Sequence, residues 1–191
     1  MPSAIPADRL IRQISARMSL RPPQERSLEI LHAVEEAIAV TGDLSGALAA
    51  IQGLAGRDVL RVDDFERDFV SLCFALATGV GKTRLMGAFI TYLALTGRSK
   101  HFFVLAPNTT IYEKLVDDFT PGKPKYVFKG IQEFAQSPPQ LVTGDNWDQG
   151  RGLRRQGELL DADVIINIFN VDKINKDAGR LRKPHDYIGS E

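Results

Sequence analysis

The stretch SLCFALATGVGKTRLMGAFITYL, residues 71–93, decides the fold of this chain. It begins with SLCFAL, an apolar run of strand type, passes through a glycine-rich turn, and takes helical character from Lys82 to about Leu95. Gly79 and Gly81 allow the backbone to curl so that successive N–H groups point into one concavity, because neither carries a Cβ. A helix that starts at such a turn adds the positive end of its dipole. The pattern therefore predicts a phosphate cradle.

The residues after the glycines predict which ligand this cradle binds. Lys82 is placed to reach the β- and γ-phosphates of a nucleotide, and the Thr83 hydroxyl to ligate Mg²⁺. The usual first glycine of the motif is replaced by Leu76. The alternative, a glycine turn that only lets a strand pack on a helix, leaves the GKT sequence unexplained. The sequence predicts ATP and Mg²⁺ as ligands of Thr78, Gly79, Val80, Gly81, Lys82, Thr83 and Arg84.

Composition places few limits on function. The 191 residues are 43% hydrophobic and 25% charged, as in ordinary globular proteins. Lys plus Arg (24) equal Asp plus Glu (24) in number, so the net charge does not indicate a nucleic-acid partner. Cys73, the single cysteine, excludes an internal disulfide and is expected in the core. With no signal-like N-terminus and no apolar run of about 18 residues, we expect a cytoplasmic protein without a membrane span.

Strands and helices alternate in the second part of the chain. Further strands are predicted at 102–106, 126–128, 140–144 and 163–169, and a helix begins near Asn108. This alternation indicates an α/β fold with a parallel sheet. Before residue 71 the spacing predicts helices over 6–18, 24–40 and 43–56. We therefore divide the chain into an N-terminal helical segment, 1–70, and an α/β lobe, 71–191.

The two best-defined motifs resemble those of a known family. LATGVGKT (76–83) followed by FVLAPN (103–108) is similar to motifs I and Ia of the superfamily-2 helicases and translocases. From about Leu20 onward, the sequence resembles most closely the DEAD/DEAH-box helicase-like proteins related to the Res subunits of type III restriction enzymes. The resemblance implies a RecA-like P-loop lobe that binds ATP and duplex DNA. It also implies as partners a second RecA-like lobe and a modification methyltransferase subunit.

The same resemblance gives a role to LRPPQ, residues 20–24. In these motors an LRxxQ element lies against the adenine, which implies that Gln24 pairs with the base. Arg21 would stack on it through its planar guanidinium. The alternative is that Gln24 is an exposed residue in the first turn of its helix. The interval from Gln24 to Gly79 is longer than is common in the superfamily.

A DNA-binding edge is predicted where the strands end. After FFVLA, the start of the next helix can hold a phosphate through backbone N–H groups and hydroxyls, so Asn108, Thr109 and Thr110 are predicted to meet the DNA backbone. The alternative is an ordinary helix cap. Lys173 follows INIFN on the side that the resemblance assigns to DNA. Trp147 with Arg151, Arg154 and Arg155 also suits a nucleic-acid strand, although a solvated loop with one anchoring aromatic is the favoured interpretation.

Parts of the motor are not found in the sequence. No apolar run ends in the Asp-Glu of motif II, and DVIINIF ends in Asn170. We therefore expect an incomplete RecA-like lobe that binds ATP·Mg weakly without useful turnover, since hydrolysis needs a metal-holding carboxylate and an arginine finger. A truncated, non-catalytic nucleotide-binding module is the alternative function. A small-molecule kinase with a P-loop is a weaker one, because LAPNTT resembles a polynucleotide-tracking helix start.

Overall fold

A computed structural model describes residues 7–41, 43–53, 63–146 and 164–171. It divides the chain into two compact units, Met1–Phe89 and Ile90–Glu191, with the boundary inside one helix. None of the helices described is both long and apolar enough to cross a lipid bilayer. The elements, in chain order, are α1 (Ala7–Arg17), α2 (Pro22–Ala39), α3 (Leu44–Gly53), α4 (Lys82–Leu95), β1 (His101–Ala106), α5 (Thr109–Phe119), α6 (Gln132–Gln136), β2 (Gln140–Thr143) and β3 (Ile165–Asn170).

The first unit is built on the three helices that the sequence predicts. Pro22 and Pro23 occupy the first positions of α2, where their missing N–H groups are not needed. Helix α2 contacts both α1 and α3. The C-terminal half of α2 contributes one side chain to a buried cluster that also contains residues of α3 and of the segment after it: Val34, Ala47, Ile51 and Phe65. This packing fixes α2, whose N-terminal end reaches the glycine turn.

The strand predicted at residues 71–76 is wrong. These residues lie before the glycine turn without pairing to any strand in the described part of the chain. Cys73 is exposed rather than buried in a core. Phe74 instead packs edge to face on Phe89, with ring centroids 4.8 Å apart. An apolar run makes a strand only where another strand offers hydrogen-bond partners, and hydropathy carries no information about that partner.

The second unit contains the parallel sheet that the sequence predicts. Its strand order is β1-β3-β2, and both pairings are parallel. In the register, Ile166 of the central strand lies between Phe102 of β1 and Leu141 of β2. Ile166 and Ile168 are fully buried, and α5 contacts both β1 and β3. The α/β class and the parallel sheet are confirmed.

The strand predicted at residues 126–128 is also wrong. The segment forms turns, and Phe128 is buried because its ring fills an aromatic cluster. It meets Phe119 at 5.4 Å and Phe134 at 4.9 Å between ring centroids, edge to face in both cases. These contacts make the segment apolar without requiring it to pair in a sheet.

Strand β1 forms one edge of the sheet in the described residues. Its alternate side chains Phe103 and Leu105 are 46% and 51% exposed, while Val104 and Ala106 are buried. Phe103 stacks on Phe169 of the neighbouring β3 at 5.3 Å. One face of β1 is therefore only partly covered in the described part of the chain.

Candidate functional site

The glycine turn of the first unit has the backbone that a cradle requires. Gly79 and Gly81 have φ values of +83° and +100°, in the left-handed region that side chains with a Cβ rarely adopt. Helix α4 begins directly afterwards at Lys82. Its first N–H groups have no intrahelical acceptor, so they and the helix dipole favour an anion at this end. The turn and the start of α4 therefore have the backbone geometry that a phosphate cradle requires.

Two donors that a phosphate would use both point to the Ala77 carbonyl. The Val80 backbone N–H donates to this oxygen at 3.4 Å, and Lys82 Nζ approaches it at 3.4 Å. Both distances are at the long limit of a hydrogen bond. A phosphate oxygen is a stronger acceptor than a neutral carbonyl, because charge-assisted hydrogen bonds are shorter and stronger. Both donors are therefore available for exchange to a phosphate.

The LRPPQ element contacts the turn through two carbonyl groups. Arg21 NH1 donates to the Gly79 carbonyl at 3.0 Å, and Gln24 Nε2 donates to the Gly81 carbonyl at 2.8 Å. Gln24 Oε1 accepts from the Arg21 backbone N–H at 2.8 Å. Gln24 is 1% exposed, so it is not the exposed first-turn residue of the alternative interpretation. Its amide nitrogen and its amide oxygen each make one hydrogen bond within the protein.

The remaining predicted phosphate residues surround the same turn. Thr78 is exposed and Thr83 is half-buried in the first turn of α4. The Arg84 guanidinium donates to the Ser19 carbonyl at 3.2 Å, which ties α4 to the connection before α2. Free N–H groups, an ammonium group and a hydroxyl in one short turn match the chemistry of a nucleoside triphosphate with Mg²⁺. The residues present therefore fit that ligand.

The predicted DNA-contact residues lie in the second unit, at the carboxyl end of β1. The Asn108 side chain accepts from the Ile111 backbone N–H at 2.9 Å, so Asn108 is the N-cap of α5, as one of the predicted alternatives holds. Thr109 Oγ1 accepts from Asn170 Nδ2 at 3.1 Å. Asn170 is 1% exposed and ends β3, so this contact ties the end of β3 to the start of α5. Thr110 is exposed.

A turn after β2 reaches the same end of the sheet. The Thr143 backbone N–H donates to Asn146 Oδ1 at 2.7 Å, which closes the turn TGDN. Tyr112 of α5 accepts from the Gly144 backbone N–H at 3.1 Å. Burial, and next the negative charge of Asp145, raise the pKa of Tyr112, so the phenol stays protonated at neutral pH. The sequence did not identify Tyr112 as a residue at this end of the sheet. Its position on the buried face of α5 was the only signal for that role.

Several sequence predictions fall outside the described residues. Lys173 is one, together with the helix predicted to start after Asn170. The aromatic and basic cluster of the predicted loop also lies outside them: Trp147, Arg151, Arg154 and Arg155.

The class of protein follows from the fold and the turn. A parallel α/β sheet and a glycine turn that leads into a helix at Lys-Thr define a P-loop nucleotide-binding domain. The family model of the type III restriction enzyme, res subunit, matches residues 17–188, and the chain belongs to this family. No curated protein and no solved structure matches the chain significantly. The chain is thus a helicase-like nucleotide-binding module of RecA-like P-loop fold, from an ATP-dependent family.

Proposed function

We propose that this chain is the ATP-binding lobe of an ATP-dependent DNA helicase or translocase of the Res type. It binds ATP·Mg at residues 78–84 and the DNA backbone at the start of α5. One observation carries the nucleotide part: two left-handed glycines lead directly into the N-terminus of α4 at Lys82. A packing turn needs no lysine or hydroxyl at this point, whereas a triphosphate uses both.

The residues of the glycine turn and of the start of α4 have distinct roles in the proposed nucleotide binding. The Lys82 side chain leaves the Ala77 carbonyl and neutralises phosphate charge, while the Val80 N–H and the first N–H groups of α4 donate to phosphate oxygens. The Thr83 hydroxyl would hold Mg²⁺, which would supply positive charge against the phosphates. The adenine contact of Gln24 stays a prediction, since it requires the amide to leave Gly81 and the Arg21 N–H.

Replacing Lys82 by alanine tests the nucleotide site. We expect Lys82→Ala to weaken ATP·Mg binding by about 10- to 100-fold, because the cradle loses the charged ammonium group of Lys82. Titration calorimetry measures the affinity, with phosphate release followed in the same samples. Lys125→Ala, a change at an exposed lysine of the second unit, is the control and should bind as the unaltered chain does. Equal affinities of the two variants, or an unaltered chain that binds no nucleotide, would contradict the proposal.

The DNA part of the proposal rests on the start of α5. Asn108, Thr109 and Thr110 are exposed, and the helix end there favours anions. A threonine hydroxyl has one donor as well as two acceptor positions, so Thr109 can still donate to a phosphate while it accepts from Asn170. The Asp145 carboxylate in the neighbouring turn would repel phosphate, which favours a contact on the side of α5. Lys173 stays a predicted contact.

A negative charge at residue 110 tests this contact. We expect Thr110→Asp to weaken duplex DNA binding by about tenfold, because a like charge would face the phosphate. The same change should not weaken α5, since an acidic residue in the first turn suits the helix dipole. Fluorescence anisotropy at several salt concentrations measures the effect, which should shrink as salt rises. Ser137→Asp is the control, because it makes the same charge change before β2. In a parallel sheet the start of β2 lies at the end of the sheet opposite to the start of α5.

The assembly around the lobe is also part of the proposal. A second RecA-like lobe and a modification methyltransferase subunit are the proposed protein partners, since the family is that of a restriction subunit. Location in the cytoplasm stays a prediction from the sequence.

A further inference from the structure

We propose that Tyr112, a buried residue of α5, positions the start of this helix for DNA binding. It is a positioning residue, because its hydroxyl ties α5 to the turn after β2 while the exposed residues of the first helical turn would meet the DNA backbone. The inference rests on the proposed DNA contact at α5 and names a residue on which that contact depends.

The turn that Tyr112 contacts is fixed by hydrogen bonds of its own. The Thr143 backbone N–H donates to Asn146 Oδ1 at 2.7 Å, and the Asn146 backbone N–H donates to the Thr143 carbonyl at 3.2 Å. Asn146 Nδ2 donates to the Leu141 carbonyl of β2 at 3.2 Å. Asn146 therefore closes residues 143–146 into a turn that is joined to the strand before it. A helix attached to this turn takes its position from the sheet.

The Tyr112 hydroxyl provides that attachment. It accepts from the Gly144 backbone N–H at 3.1 Å, and the Thr143 side chain is a second hydrogen-bond partner. Tyr112 is 4% exposed, so water has little access to either contact. Loss of the hydroxyl would take from the Gly144 N–H the acceptor that holds it, and it would release the turn from α5.

A second contact holds the same part of α5 to β3. Asn170 Nδ2 donates to Thr109 Oγ1 at 3.1 Å, three positions before Tyr112. Residues three apart are neighbours on one side of a helix, so both contacts lie on the side of α5 that meets the strand ends. Thr110, between them, is exposed. The two contacts together fix the direction of the first N–H groups of α5 and of the Thr110 hydroxyl.

The direction of these groups matters for binding an anion. The first N–H groups of a helix are part of its backbone, so they point where the helix points. A helix start that is already held in place needs no further ordering when DNA arrives, and such preorganisation raises affinity. Tyr112 therefore contributes to DNA binding without touching DNA.

Replacement of Tyr112 by phenylalanine tests the inference. Tyr112→Phe keeps the buried ring and removes only the hydroxyl, so we expect it to weaken duplex DNA binding by about 3- to 10-fold, as for the loss of one hydrogen bond. Fluorescence anisotropy with a labelled duplex at fixed salt measures the affinity of the full chain. Binding of ATP·Mg by the same samples should stay within about twofold of its original value.

Tyr126→Phe is the matched control for this change. It removes the same hydroxyl group in the same unit, but the Tyr126 phenol oxygen is buried without a hydrogen-bond partner in the part of the chain that the structure describes. Its removal therefore breaks no contact of the DNA edge. We expect Tyr126→Phe to bind duplex DNA as the unaltered chain does.

Two readouts separate positioning of α5 from general stability. If Tyr112 acts through the helix start, Tyr112→Phe should change DNA affinity by less than about twofold in a chain that already carries Thr110→Asp, because residues that act through one contact are not additive. The Gly144 amide should exchange its hydrogen about tenfold faster in Tyr112→Phe, since that variant removes its acceptor. In Tyr126→Phe this exchange rate should not change.

Asn146→Ala tests the other end of the same attachment, and it does not depend on the folding of Tyr112→Phe. It removes the side chain that closes the turn and keeps the Tyr112 hydroxyl, so the turn can move relative to β2. We expect a fall in duplex DNA affinity of similar size, about 3- to 10-fold.

The outcomes distinguish failure of the inference from failure of the proposed function. If Thr110→Asp weakens DNA binding but Tyr112→Phe, or Asn146→Ala where the former does not fold, binds unchanged, the inference is overturned and the DNA contact stands. Equal losses in Tyr112→Phe and Tyr126→Phe, or a full effect of Tyr112→Phe on top of Thr110→Asp, would also overturn it. If the unaltered chain binds no duplex, or if Thr110→Asp binds equally well, the proposed DNA contact fails and the inference fails with it.

Discussion

Replacement of Ile166 by alanine is expected to lower the free energy of unfolding by about 2–5 kcal/mol, the range for truncating a buried isoleucine. Ile166 is fully buried on the central strand, in register with Phe102 and Leu141. The cavity would therefore open where both strand pairings meet. Because a domain of this kind has only about 5–15 kcal/mol of stability, this change removes a large part of it.

Urea unfolding followed by circular dichroism measures this effect. The midpoint should fall while the slope stays constant, since the same surface is exposed on unfolding. Ile111→Ala is the matched control, because Ile111 is 39% exposed on α5 and its loss should change stability by no more than about 0.5 kcal/mol. Equal effects of the two substitutions would show that the sheet of the second unit is not the core of that unit.

Gly81→Ala is expected to weaken nucleotide binding by roughly 10- to 100-fold. At φ +100° a residue with a Cβ is strained by about 1–3 kcal/mol, whatever space surrounds it. The added Cβ would also lie 2.8 Å from Gln24 Nε2 and displace the side chain that holds the Gly81 carbonyl. Relief of either problem rotates the peptide before Lys82, so its N–H no longer points at the phosphate site.

Gly122→Ala provides the control for backbone strain. Gly122 has φ +82° in an exposed turn of the second unit, and nothing lies within 4 Å of a Cβ built there. Both variants should therefore lose stability through backbone strain, Gly81→Ala by more because of its additional contact with Gln24, but only Gly81→Ala should lose affinity for ATP·Mg in titration calorimetry. A Gly81→Ala chain that binds as well as Gly122→Ala would show that the left-handed turn is not the nucleotide site.

The elements that depend on local chemistry were predictable from the sequence. The spacing of glycines before Lys82 indicated both the turn and the start of α4, and Asn108 was recognisable as a helix cap. The strand at 102–106 also followed from pattern. In each case the residues that decide the structure are near neighbours in the chain, so their chemistry can be seen in a short window.

The elements that depend on distant partners were not predictable in this way. SLCFAL has the composition of a strand, but pairing requires a second strand that hydropathy does not identify. The carbonyl to which the Gln24 amide donates is equally remote, because Gly81 lies 57 positions further along the chain. A motif resemblance assigns Gln24 to the ligand. Only the structure shows its amide engaged with the turn.

The order of strands has a consequence for the making of the protein. Strand β1 pairs with β3, which the chain reaches only about 60 residues later, so the sheet cannot close from local contacts. At roughly 5–20 residues per second, a ribosome needs about 3–12 s to supply the missing strand. During this interval Phe103 and Leu105 lie on a segment without its neighbour. We therefore expect the unpaired edge of β1 to be most open to pairing with other chains while the protein is being made.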